Sequence, residues 1–215
     1  YLRMQKESLA EKAYLKAMEL APQTIKPFIA AAGFYDITGK DDRALEMYTR
    51  AVAIQPENLS LQNTLAKFHF KNKRLPQAEE IVSDILEARP NFFAALLLKS
   101  EIKIHEKALD EALPLLNRLE KEKPEAARVH FLKGVCFMEL GKTKKAITAL
   151  STSLDFNPQN LKAREYLAGL YYKDSAFDLA RHQALEILNV MPDNYPATEI
   201  LANCDMQAGQ GDKAL

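Results

Sequence analysis

Four histidines, two cysteines and a close pair of glycines are the residues from which a catalytic or metal site would have to be built. His69, His105, His130 and His182 are scattered along the chain. None has a second ligand one helical turn away in the HExxH manner, and none joins a serine or cysteine in a nucleophile motif. Each reads as a packed or solvated side chain. Cys136 and Cys204 lie far apart in sequence, outside any CxxC or zinc pattern, and read as buried thiols. Gly209 and Gly211 are followed by Asp212, Lys213 and Ala214, which is not a phosphate-cradling loop. The sequence therefore predicts no catalytic residue, no cofactor, no metal and no enzyme.

Bulk composition narrows the class further. The 215 residues are 47% hydrophobic, enough for a sizeable core, and contain only seven glycines. Ala, Leu, Glu and Lys favour helix, so an all-α fold is expected. Lys plus Arg and Asp plus Glu both total 29, giving zero formal charge. Nucleic-acid binding needs a basic excess to neutralise phosphates, and a polybasic membrane anchor needs a cationic cluster. Neither is present. Apolar runs such as residues 94–98 fall far short of the roughly 20 residues that span a bilayer. The opening residues also lack the pattern of a signal peptide, and the compartment stays open.

The elements that would position any binding residue follow a fixed period. Pro22, Pro56, Pro90, Pro124, Pro158 and Pro192 recur at one constant interval, within the range typical of stacked structural repeats. Proline cannot continue a helix and pushes its predecessor out of the α region, so each marks the end of one helical unit. Twelve places before each proline stand Ala10, Ala44, Ala78, Ala112, Ala146 and Ala180, with Ala214 at the next expected place. Twenty-four before come Ala32, Ala66, Ser100, Gly134 and Ala168, with Ala202 at the next. Helix axes approach to roughly 8–10 Å only where side chains are short, so these are predicted crossing points. Tyr14, Tyr48, Val82, Leu116 and Leu150, with Tyr35, Phe137 and Tyr171, are the predicted knobs between helices.

Between the two small places lies a break, marked by Gly39, Gly141 and Gly209, and by Lys71-Asn72 and Asp174-Ser175 where glycine is absent. Glycine suits a left-handed helix end. Asn58, Asn160 and Asn194, each two places after its proline, are positioned to cap the next helix. Each unit is thus predicted as helix, tight turn, helix and proline turn.

These features, carried most clearly by GFYDITGKDDRALEMYTRAVAIQP and GVCFMELGKTKKAITALSTSLDFNP, resemble the tetratricopeptide repeat family. The resemblance covers essentially the whole chain. It implies a single right-handed α-solenoid of about six antiparallel hairpins, with a partial unit 1–24, full units 25–58, 59–92, 93–126, 127–160 and 161–194, and a partial unit 195–215. Two departures occur in one unit: Lys99 and Lys103 take apolar or aromatic places, suggesting looser packing, and Pro114 falls inside the second helix, predicting a kink or a late start.

Counting back from Pro22 places Tyr1 midway through a first helix, and counting forward from Pro192 ends the chain at the start of a second one. The expectation is a stretch of a longer array that continues both ways. Open ends also suggest self-association by stacking.

In the family, the first helices line a concave groove that takes a peptide or a partner helix. By helical phase the resemblance places Lys26, Ile29 and Asp36 there, then Asn63, Lys67, Phe70 and Lys71, then Leu97, Glu101 and Ile104. Arg128, Phe131, Val135, Met138 and Glu139 follow, then Glu165, Tyr172 and Lys173. Asn63, Lys67 and Lys71 share one helix face and offer an amide and two ammonium groups to a carboxylate or an acidic segment. Phe131, Val135 and Met138, with Leu97 and Ile104, form an apolar strip for a partner's side chains. The family's clamp for a C-terminal carboxylate is not reproduced, because Ile29, Gly33 and Leu97 occupy the matching faces.

The sequence predicts a scaffold that binds a protein or peptide partner. One alternative is a regulatory or targeting segment of a larger enzyme such as a glycosyltransferase or a kinase; another is a self-assembling array. The style of the repeats is similar to that of bacterial proteins of envelope, secretion or exopolysaccharide machinery.

Overall fold

The computed structural model describes residues 2–207 and 209, with side chains from residue 7 onward. Among the described residues the regular structure is α1 (Leu2–Leu20), α2 (Ile25–Ile37), α3 (Asp41–Ile54), α4 (Leu59–Lys71), α5 (Leu75–Ala88), α6 (Phe93–His105), α7 (Leu109–Glu122), α8 (Ala127–Glu139), α9 (Thr143–Phe156), α10 (Leu161–Lys173), α11 (Phe177–Val190) and α12 (Tyr195–Gln207). The fold is an all-α helical repeat. First helices are 13 residues long and second helices 14. Each kind begins at the same constant interval that separates the prolines.

The proline turns repeat bond for bond. The N–H of Thr24, Asn58, Phe92, Ala126, Asn160 or Asn194 donates to the carbonyl three places earlier at 3.0–3.1 Å, with the proline at the second position of each turn. Its fixed φ suits that position. Asn58, Asn160 and Asn194 then cap the next helix: their Oδ1 atoms accept from the N–H groups of Leu61, Ala163 and Ala197 at 3.1, 3.2 and 2.9 Å. In three units a polar residue four places further on also engages the proline carbonyl: Gln62 Nε2 at 2.5 Å, His130 Nε2 at 2.6 Å and Arg164 at 3.1 Å.

The tight turns repeat as closely. Gly39, Lys73, Lys107, Gly141, Ser175 and Gly209, each one period after the last, have φ between 59° and 72°. From Gly39 through Ser175, the next residue's N–H returns to the carbonyl five places earlier at 2.8–2.9 Å, closing a Schellman-type end. This corrects one expectation: where glycine is absent after α4, the turn is made by Lys73 rather than by Lys71-Asn72, and Asn72 instead caps the carbonyl of Phe68 at 2.9 Å.

Two further expectations are corrected. The count back from Pro22 placed a first helix and a turn at the N-terminus, whereas α1 is one helix from Leu2 to Leu20. The turn place there holds Gln5, which has no need of a left-handed backbone and propagates helix well. Pro114 gives no late start, for α7 is continuous from Leu109 to Glu122. Pro114 and Asp110, whose carbonyl loses its donor, are both exposed, so water can take up the unpaired oxygen. Ala214 and the second helix expected at the C-terminal end lie outside the described residues.

The chain forms two compact units, Tyr1–Ile102 and Lys103–Leu215. In the first, Ala32, Ala44, Ala66, Ala78 and Ser100 are fully buried at the crossings, and Tyr35, Tyr48, Val82 and Phe68 pack around them. The Tyr48 and Phe68 rings meet at 5.3 Å. Ser100 is accommodated because its hydroxyl donates to the Leu96 carbonyl at 2.9 Å. In the second unit, Ala112, Ala146, Ala168 and Ala180 are fully buried and Gly134 is buried with them, around Leu116, Leu150, Leu167 and Ile187. Lys103, which takes an aromatic place, keeps its charge compensated by Glu106 at 2.8 Å.

Candidate partner-binding faces

In the first unit the groove-phase residues lie on α2, α4 and α6. Lys26 is exposed, Ile29 and Asp36 are half-buried, and Ile37 beside them is 86% exposed. On α4, Lys67 and Lys71 are exposed and Phe70 is half-buried, but Asn63 is buried and its Oδ1 has no hydrogen-bond partner among the described residues. Asn63, Lys67 and Lys71 therefore do not offer three groups on one open face. Lys71 Nζ donates to Asp36 Oδ1 at 2.8 Å, and that hydrogen bond raises the ammonium pKa. Leu97 and Glu101 on α6 are half-buried.

In the second unit, Phe131 is buried rather than presented openly. Its ring stacks on Tyr166 at 5.9 Å with planes 19° apart. Arg128 lies 5.2 Å from the Phe131 ring centre and Lys162 lies 5.0 Å from that of Tyr166, so each ring of the stacked pair that joins α8 to α10 has a cation beside it. Glu165 accepts from Lys162 at 2.7 Å, an interaction that holds the lysine charged. Sequence reasoning passed over Tyr166 and Lys162. Val135, Met138 and Ile104 are half-buried, and Glu139 pairs with Lys107 at 2.7 Å. Tyr172 packs against Phe177 at 5.6 Å and Lys173 is exposed. Gly169, in the middle of α10, is exposed and has nothing within 4 Å of the place a Cβ would take.

Both cysteines are buried free thiols. Burial pushes the Cys136 thiol up to about 11 and raises that of Cys204, which suppresses the reactive thiolate. His69 and His130 are buried, whereas His105 and His182 are exposed. Burial, then the nearby Arg74 charge, lowers the His69 pKa. Among the described residues no cluster of His, Cys, Asp and Glu is arranged to hold a metal, and no helix is long and apolar enough to cross a membrane.

A helical repeat whose polar and aromatic groups lie along the first helices is the architecture of a protein-binding array. The chain belongs to the tetratricopeptide repeat family, whose model matches residues 39–102 and again 103–165. It is 25% identical over 209 residues to the human protein O-mannosyl-transferase TMTC1, covering 95% of this chain and 24% of that protein. It is 24% identical over 210 residues to the anaphase-promoting complex subunit CDC16 of Saccharomyces cerevisiae, covering 94% of this chain and 25% of that one. The chain thus spans about a quarter of the length of these relatives. Among solved structures, the Cut9–Hcn1 hetero-tetramer of the anaphase-promoting complex superposes with a TM-score of 0.78 at 21% identity, covering 95% of this chain and 41% of that one.

Proposed function

We propose that the chain is a non-enzymatic scaffold that lays a partner's peptide or helix against the groove-phase faces of its first helices, within a larger assembly. Lys67, Phe70, Lys71, Leu97 and Glu101 supply that face in the first unit. Arg128, Met138, Glu165, Tyr172 and Lys173 supply it in the second, with Asn63 and Phe131 beneath as supports. The observation that supports this reading is Gly169. A glycine in a helix interior costs about 1 kcal/mol relative to alanine, and nothing in the fold approaches its Cβ place. A partner main chain passing close to α10, between Glu165 and Tyr172, accounts for the missing side chain.

Peptides selected on the wild-type chain from a random phage-displayed library test the proposal. Changing Lys67 or Tyr172 to alanine is expected to weaken the peptides seated on the respective unit, while Asp84→Ala, on the exposed side of α5, is not. Selected peptides indifferent to both groove changes would overturn it.

The 25% identity with an O-mannosyl-transferase favours a second reading, in which this array regulates or targets a larger enzyme whose catalysis lies elsewhere. A transferase domain in the sequence flanking these residues supports that reading, and its absence there contradicts it. Self-association through the array's ends, and a place in bacterial envelope or secretion machinery, belong to the same level of proposal. Sedimentation across a range of concentrations tests the former, a constant monomer opposing it.

A further inference from the structure

The molecule carries its own example of a captured carboxylate. Glu11 on α1 is only 19% exposed. Its oxygens accept from the Tyr35 hydroxyl at 3.1 Å and from Lys40 Nζ at 3.0 Å, and Arg43 contacts it as well. Lys40 and Arg43 also lie 5.7 and 5.6 Å from the Tyr35 ring centre. The receptor is thus an aromatic ring flanked by two cations, one in the turn before α3 and one in its first turn.

Three repeats later the same pattern of residues recurs without its acid. Phe137, Lys142 and Lys145 stand at the places of Tyr35, Lys40 and Arg43, and Lys145 Nζ lies 5.9 Å from the Phe137 ring centre. The place of Glu11 is held by Leu113. Among the described residues no carboxylate forms an ion pair with Lys142, Lys144 or Lys145. A crevice of about 370 Å³ between α7, α8 and α9 is lined by Phe137, Lys144 and Lys145, with Lys142 in the turn that leads into α9. Two other replacements favour an incoming anion: Thr148 stands where the first crevice has Glu46, removing a negative charge, and Ala149 stands where it has Met47, making room. The crevice's own acid, Glu120, is engaged by Lys133 at 2.6 Å and faces His130 Nδ1 at 3.5 Å.

We propose that this crevice receives a glutamate or aspartate side chain from an acidic segment of a partner protein, held by Lys142 and Lys145 at the edge of the Phe137 ring. The site uses a different face of α8 from the groove-phase residues, and so stands or falls independently of the groove. Its attraction is charge-assisted hydrogen bonding at a partly exposed site, and it weakens as salt screens it.

Fluorescence anisotropy of labelled hexaglutamate added to the chain at low salt tests the proposal, with hexaglutamine and inorganic phosphate as comparison probes. Hexaglutamate is expected to bind, and hexaglutamine is not. Lys142→Gln with Lys145→Gln, at exposed positions, is expected to weaken binding about tenfold, equivalent to about 1.4 kcal/mol. Leu113→Glu, checked by circular dichroism for folding, is expected to rebuild the internal ion cluster and to abolish binding. Lys16→Ala, an exposed change on α1, leaves the affinity unchanged. Failure of hexaglutamate to bind, equal binding of hexaglutamine, tighter binding of phosphate, or indifference to the double lysine change would each overturn the assignment.

Discussion

Gly134 of α8 and Leu150 of α9 approach so closely that a Cβ on the glycine would stand 2.6 Å from Leu150 Cγ and 2.7 Å from its Cδ2. This contact sets the spacing of the hairpin, because a bare backbone lets the two helices meet with the leucine wedged between them. Gly134→Leu and Ala146→Leu should each cost about 1–3 kcal/mol through overpacking, whereas exposed Lys142→Ala should change stability by less than about 0.5 kcal/mol. Urea midpoints measure the difference, and equal effects would contradict the crossing.

The left-handed turns give a test of opposite sign. Lys73 and Ser175 hold φ of 59° and 60°, a region that costs residues with a Cβ about 1–2 kcal/mol. After the greater freedom of glycine in the unfolded chain is subtracted, Lys73→Gly and Ser175→Gly should stabilise by about 0.5–1 kcal/mol. Gly141→Ala should destabilise by a similar amount. Lys107 is the poorer test, because its ammonium also pairs with Glu139 at 2.7 Å.

Helix caps differ between units in a way that can be exchanged. Asn160 accepts from the Ala163 N–H, while Ala126, at the equivalent place before α8, offers no side-chain oxygen. Asn160→Ala should cost about 1 kcal/mol, and Ala126→Asn should gain about 0.5–1 kcal/mol. Thermal melts of the two variants check both signs.

His69 makes the first unit sensitive to acid. It takes a place that other repeats give to Tyr35, Phe137 or Tyr171, and its buried Nδ1 has no hydrogen-bond partner among the described residues. Burial, then Arg74, lowers its folded pKa below the ordinary value of 6.5. The unfolded chain therefore binds the proton more readily, so this contribution is fully present above about pH 6.5 and is lost as the pH falls toward the folded value. The difference in urea midpoint between His69→Tyr and the wild type should widen, in favour of the variant, on going from pH 7.5 to 5. A difference independent of pH would refute the assignment.

Where the chain turns, crosses and caps was legible because each requirement falls on one residue type at a fixed interval. The prolines, alanines and asparagines are local solutions to local geometry. Lys73 and Lys107 escaped notice because lysine carries no left-handed signature, although counting one and two periods on from Gly39 would have located both. The continuous α1 was missed because periodicity alone assumes that every unit closes into a hairpin.

The binding faces were less legible, because helical phase gives a direction but not what lies there. Phe131 is buried against the Tyr166 ring of the next first helix, and Lys71 meets Asp36 from the preceding one. Asn63 has the right phase and yet is buried. The Glu11 cluster depends on how α1 lies against α2 and α3, which no spacing within one helix records.

The most direct test of the groove lies at Gly169. Gly169→Ala and Gly169→Leu should raise the melting temperature, because either residue favours helix over glycine and finds open space in the fold. With peptides selected on the second unit of the wild-type chain, the same changes should weaken binding, leucine more than alanine, with about a tenfold loss or more for leucine. Higher thermal stability with unchanged peptide affinity would contradict the account.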